Sequence, residues 1–261
     1  MKALAALPLA RRLVRRPDAH KGDSGKVLLI GGAPTMAGAL VLAGRAALYS
    51  GAGYTVLLML DKASAHVVPE QPELMVHAAA RYPDPAQALV SMAPDVIAIG
   101  PGLGLDEVAQ RWLQAALAWD GRLVIDADAL TLLATHPHLL DALRQRPQPA
   151  SLTPHPGEAA RLLSTTNHAI QADRTQALQA LVAHTDCIVV LKGQHSLVGA
   201  PDQTPQQCMD GNPGMAVGGM GDVLTGCLAA LAADRLVAQG VGPVGLTPME
   251  VALEIRRVIS S

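Results

Sequence analysis

Phenylalanine is absent from this chain, and aromatic residues together make up 2% of its 261 residues. A core must therefore be built from Ala, Leu, Val, Ile and Met, and stacking platforms for nucleic-acid bases are not expected. Neither sign of charge dominates, since 20 Lys and Arg meet 22 Asp and Glu. That balance argues against a nucleic-acid or membrane surface as the main partner, so any anion is expected to be bound by local groups. Cysteines are few: Cys187, Cys208 and Cys227 are an odd number without C-x-x-C or His-paired spacing. They are expected as buried or incidental thiols in a reducing compartment, with no zinc site. Apolar runs are broken by Gly, Arg or Asp well short of a membrane span. The opening M-K-A-L-A-A-L-P-L-A mimics a signal peptide, yet it runs into Arg11, Arg12, Arg15 and Arg16 instead of a small-residue cleavage site. The expectation is a mature, cytoplasmic protein.

Half of the residues are hydrophobic, enough for one large α/β domain over 1–261, with no compositional break. The pattern predicts a short helix over 3–16, then a buried strand over 26–30 and a loop over 31–38 feeding a helix over 39–49. A second strand is predicted over 54–60. The stretch 61–94 is rich in Pro and His, with a weak helix over 86–91, and His66 and His77 are expected at the surface. A strand over 96–99 runs into Gly100-Pro101-Gly102-Leu103-Gly104, which is not the G-x-G-x-x-G of a dinucleotide fold but does place bare backbone at a strand's carboxyl end. A helix over 107–118 and a strand ending at Asp126 and Asp128 follow. These two carboxylates serve either a magnesium or ribose contact or the cap of a helix beginning near Ala129. His136 and His138, flanking Pro137, read as a helix-to-loop surface feature. After a helix over 174–184 comes the strand C-I-V-V-L-K-G, a hairpin return over 196–198, a polar loop over 201–207 and a last helix over 248–259. Alternating strands and helices indicate the α/β class.

Three motifs carry chemistry. The first is D-G-N-P-G-M-A-V-G-G-M-G-D-V-L-T-G-C, from Asp210 to Cys227. Unpaired amides at a helix start, with the helix dipole behind them, can hold a phosphate, so Gly218, Gly219, Met220 and Gly221 form a potential anion hole. Asp222 beside it is placed to take a proton from a hydroxyl. The plain alternative is a loop with Asp222 opening a helix near Val223. The second motif is T-P-H-P-G-E, whose two prolines fix the backbone and bring Glu158 into a helix's first turn. The third is Lys192-Gly193 after a buried strand, either a snorkelling surface lysine or a phosphate contact.

In order, H-K-G-D-x-G-x-V-L-x-I-G-G, M-x-G-A, G-P-G-L-G, D-A-D-A-L, T-P-H-P-G-E, V-L-K-G and G-N-P-G-M-A-x-G-G-M-G-D-V-L resemble the ADP/ATP-dependent NAD(P)H-hydrate dehydratases, a branch of the ribokinase-like superfamily. The resemblance runs from His20 onward. It implies a three-layer α/β fold, with a mostly parallel central sheet and helices on both faces. It implies ADP-dependent dehydration of the S-epimer of hydrated NADH and NADPH, with ATP as the other possible donor and Mg2+ as cofactor. Asp222 would be the catalytic base. Ala39, Gly104, His155 and Asp222 would contact the hydrated nicotinamide, while Lys192, Gly193, Gln194, His195, Ser196 and Gly221 would hold the adenine nucleotide. Glu158 would act through the magnesium shell. The resemblance further implies a homotetramer and a separate epimerase chain. Thr131 stands where relatives place Asn, and the chain after about residue 228 looks shortened. Two other functions fit the same motifs: a ribokinase-like kinase of a small alcohol or vitamin precursor, and a non-catalytic dinucleotide-binding protein.

Overall fold

The computed structural model describes residues 2–3, 20–66, 71–209 and 215–233. The strands there are β1 (Lys2–Ala3), β2 (Lys26–Gly31), β3 (Tyr54–Met59), β4 (Leu74–Ala78), β5 (Val96–Ile99), β6 (Arg122–Ile125), β7 (Ser151–Leu152), β8 (Ile188–Leu191), β9 (Leu197–Gly199) and β10 (Gln206–Gln207). They form one sheet in the order β1-β10-β9-β8-β7-β6-β5-β2-β3-β4. From β4 across to β8 every pairing is parallel, and β9 runs antiparallel to both β8 and β10. The five residues between β8 and β9 are too few for a crossover, so the chain there can only fold back.

The central strands are buried on both sides, and alternate residues divide between two cores. Val27 and Leu29 of β2, Leu57 and Met59 of β3 and Ala98 of β5 face α1 (Ala37–Tyr49) and α9 (Met220–Ala233). Leu28, Ile30, Ile97 and Ile99 point the other way. On that side stand α2 (Pro85–Met92), α3 (Glu107–Ala118), α4 (Ala127–Thr135), α5 (Pro137–Arg144), α6 (Pro156–Leu162), α7 (Asn167–Ala172) and α8 (Arg174–Thr185). Helices thus cover both faces, the expected three-layer arrangement. Among the described residues Trp112 on α3 is the largest fully buried side chain, and Ala, Val, Leu and Ile, with Met92 and Cys187, supply the remainder of its buried cluster. α9 and α1 touch backbone to backbone: a Cβ built on Gly226 would stand 1.9 Å from the carbonyl oxygen of Ala43. That contact fixes how the start of α9 meets the sheet.

Several expectations are corrected. The Pro- and His-rich stretch contains β4, which among the described residues is an edge strand paired with β3 alone. His77 sits on it, half-buried, with Nδ1 2.6 Å from the Tyr82 hydroxyl, so it is not a bare surface residue. Pro137 opens α5 at a position where its missing N–H costs nothing. The expected polar loop over 201–207 ends in β10. α1, α4 and α9 each begin two or three residues earlier than predicted, at Ala37, Ala127 and Met220. The helix expected over 3–16 lies outside the described residues except for Ala3, which pairs in β1. The last helix and the region after Ala233 also lie outside them.

Candidate active site

Asp126 follows β6 at its carboxyl end and is 1% exposed. Both its oxygens are engaged: Oδ1 accepts from Lys192 Nζ at 2.7 Å, and Oδ2 accepts from the Thr225 hydroxyl at 2.8 Å. Lys192 follows β8 and Thr225 lies on α9, so three distant parts of the chain converge on one carboxylate. A buried charge persists only when paired and hydrogen-bonded in this way. Asp126 precedes α4 yet makes no side-chain bond to that helix, so the helix-cap alternative does not describe it. Asp128 is likewise turned elsewhere, accepting from the Gly104 N–H at 2.9 Å. It holds the glycine loop that leaves β5.

Lys192 Nζ is also 3.8 Å from Glu158 Oε2. The T-P-H-P-G-E stretch forms a capping box at the start of α6, with Pro156 at its first position. His155 Nδ1 accepts from Gly157 N at 2.9 Å, and Glu158 Oε2 accepts from His155 N at 2.7 Å. With Nδ1 accepting, the neutral imidazole carries its proton on Nε2, which lies 3.3 Å from Glu158 Oε1. Burial, then the nearby Lys192 and Arg161, depress the His155 pKa, so the ring is neutral near pH 7. Glu158 is 5% exposed, and burial pushes its carboxyl up to about 6 against the pull of Lys192.

Asp222 stands in the first turn of α9, where helix geometry leaves the N–H groups without intrahelical acceptors. Val223 is the first residue beyond it whose N–H returns to a carbonyl, that of Gly219 at 3.0 Å. Asp222 is half-buried, and its carboxyl is raised to about 6, first by burial and then by the Asp126 and Asp128 carboxylates, with Lys192 opposing. Gly221 supplies the fit between α9 and the pair beneath it, because a Cβ there would stand 3.2 Å from Lys192 Nζ and 3.7 Å from Asp126 Oδ2.

The structure thus joins Gly104, Asp128, Asp222, Asp126, Lys192, Glu158 and His155 through successive contacts and fields. Ala39 is half-exposed in the first turn of α1, and Leu42 one turn on is the nearest neighbour of a Cβ built on Gly219. Gly218 is exposed, whereas Gly221 and Met220 are half-buried. Gly193, Gln194, His195 and Ser196 form the β8–β9 turn directly after Lys192. No three His, Cys, Asp or Glu side chains gather into a metal cage among the described residues.

A family model described as NAD(P)H-hydrate dehydratase matches residues 27–241. The chain belongs to the NAD(P)H-hydrate dehydratase family. The bifunctional NAD(P)H-hydrate repair enzyme Nnr of Coxiella burnetii is 41% identical over 232 residues, covering 89% of this chain and 46% of that protein. Its Escherichia coli namesake is 41% identical over 222 residues, covering 85% of this chain and 41% of that protein. The chain therefore spans just under half the length of these relatives. Among solved structures, an ADP/ATP-dependent NAD(P)H-hydrate dehydratase from Bacillus subtilis, co-crystallised with ATP and Mg2+, matches with a TM-score of 0.77. It is 28% identical, and the match covers 99% of this chain and 97% of that one. A ribokinase-like superfamily protein from Enterococcus faecalis matches with a TM-score of 0.76 at 27% identity, covering 99% and 95%.

Within this dehydratase-family site, two residues escaped the sequence patterns. Thr225 lies three positions after Asp222, hence on the same face of α9, a spacing that could have marked it. Arg174, whose guanidinium contacts the backbone around Lys192, left no local signal. Among the described residues, no helix is long and apolar enough to cross a membrane.

Proposed function

We propose that this chain dehydrates the S-epimer of hydrated NADH and NADPH at the expense of ADP, releasing AMP and phosphate and restoring the dihydronicotinamide. The observation that carries the proposal is Asp222: a carboxyl group raised to about 6, seated in the first turn of a helix beside the Lys192–Asp126 pair. A base near that pKa is ionised at neutral pH yet basic enough to accept a hydroxyl proton.

In the proposed reaction, Asp222 takes the proton of the ring hydroxyl as its oxygen attacks the terminal phosphoryl group of ADP. The amides of Gly218, Gly219, Met220 and Gly221, with Lys192, stabilise charge on the transferring oxygens. Phosphate leaves far more readily than hydroxide: the ring nitrogen's electron pair expels it from the carbon that bore the hydroxyl, and loss of a proton from the adjacent ring carbon to water then restores the dihydronicotinamide. Ala39, Gly104 and His155 would line the nicotinamide side; Lys192, Gly193, Gln194, His195, Ser196 and Gly221 would hold the nucleotide. ATP remains the other donor that the same elements can cradle.

Magnesium fits only as a phosphate-bound ion. Both oxygens of Asp126 and Glu158 Oε2 are already engaged, so the described residues offer no cage, and magnesium commonly takes most of its ligands from phosphate and water. Glu158 would then act on the ion's shell, and the ion would supply charge neutralisation at the phosphates. We further assign this chain the dehydrating half of the bifunctional relatives' work and propose a cytoplasmic homotetramer.

The test is recovery of dihydronicotinamide absorbance when the protein meets hydrated NADH, magnesium and ADP or ATP. Asp222→Asn should lower turnover by about a thousandfold while nucleotide affinity stays unchanged. Undiminished turnover in that variant would remove Asp222 as the base. A lasting phosphorylated product would instead make the protein a kinase.

A further inference from the structure

The β8–β9 turn is assembled around a cation. Arg174, the first residue of α8, donates through Nη2 to the carbonyl oxygens of Leu191 at 3.1 Å and Lys192 at 3.2 Å, and through Nη1 to that of Gln194. The carbonyl between them, that of Gly193, accepts from the Ser196 hydroxyl at 3.2 Å. Gly193 has φ +145°, and a Cβ there would stand 2.9 Å from Arg174 Nη2. Only glycine lets the backbone cross the guanidinium this closely.

The orientation of these carbonyls dictates that of the amides. All described peptide bonds are trans, and in a trans peptide the carbonyl of one residue and the N–H of the next point in opposite directions. With the carbonyls of Lys192 and Gln194 turned onto Arg174, the N–H groups of Gly193 and His195 are turned away from it. Among the described residues, no protein group accepts from either N–H. Arg174 is half-buried, and its partners there are all neutral carbonyl oxygens, so among the described residues no carboxylate pairs with it. A row of outward amides over an uncompensated cation is an anion-binding arrangement.

We infer that Arg174 is a positioning residue for the nucleotide's phosphates: it gathers the carbonyls of the turn and thereby presents the Gly193 and His195 amides to an anion. This rests on the nucleotide reading of residues 192–196 given above.

The experiment is calorimetry on the full chain with three probes, ADP, inorganic pyrophosphate and adenosine, for the unaltered protein, Arg174→Gln and Arg174→Lys. Affinity for ADP and pyrophosphate should fall about tenfold in Arg174→Gln, the scale of one charge-assisted contact. It should fall less in Arg174→Lys, which keeps the charge and loses the fork. Adenosine affinity should not change, nor should the pH midpoint of kcat, which belongs to Asp222. In the unaltered protein, pyrophosphate should shift the amide resonances of Gly193 and His195. Unchanged phosphate affinity in a folded variant, or silent amides, would overturn the inference while leaving the nucleotide reading standing. Failure of the unaltered protein to bind ADP would bring down both. Should Arg174→Gln not fold, Arg174→Lys decides.

Discussion

Replacing Lys192 by Met tests the central pair directly. The side chain keeps its length and apolar stem but loses the ammonium that sits 2.7 Å from Asp126 Oδ1 and 3.8 Å from Glu158 Oε2. Asp126, at 1% exposure, would keep only the hydroxyl of Thr225. Breaking a buried ion pair by removing one partner costs about 3–5 kcal/mol, because the other charge is left without compensation. The surviving Thr225 bond sets the expected loss at the lower end, about 3 kcal/mol. Denaturant titration at neutral pH should show this as a lower midpoint with an unchanged slope. Asp126→Asn in the Lys192→Met background should recover a large part of the loss, since it removes the stranded charge while keeping an acceptor for Thr225. A loss below about 1 kcal/mol would place the pair in the range of surface ion pairs and refute the argument that it is a buried junction. A double variant no more stable than the single one would refute it equally.

If Asp222 is the proposed base, turnover should rise with pH through about 6, the value to which its carboxyl is raised; Lys192→Met should move the midpoint up and Asp128→Asn should move it down, as a pH series of kcat would show. Glu158 is raised from 4.5 to about 6 by burial, so its contribution to stability is full below pH 4.5 and is lost as pH rises through 6. Glu158→Gln should therefore shrink the difference in unfolding free energy between pH 4 and pH 8 by about 2 kcal/mol, measured by denaturant titration at both pH values.

Much of this protein is determined within short stretches of its sequence. β2 and β5 are uninterrupted aliphatic runs, α3 is introduced by Asp106 whose side chain accepts from Ala109 N, and the capping box of His155 and Glu158 closes within four residues. Such elements are legible because their hydrogen bonds and burial patterns are local. β4 and β10 escaped notice because a short edge strand is stabilised by its partner and carries little pattern of its own. The early starts of α1, α4 and α9 were decided the same way, by packing against the sheet, with α1 and α9 also packed on each other. The site divides along the same line. Asp222 and Lys192 stand in recognisable motifs, whereas the role of Asp126 remained open between cap and ligand contact until tertiary structure brought Lys192 and Thr225 to it from 66 and 99 residues away. A carboxylate's partner across that distance is chosen by the order of strands and the crossing of helices, and no run of neighbouring residues encodes it.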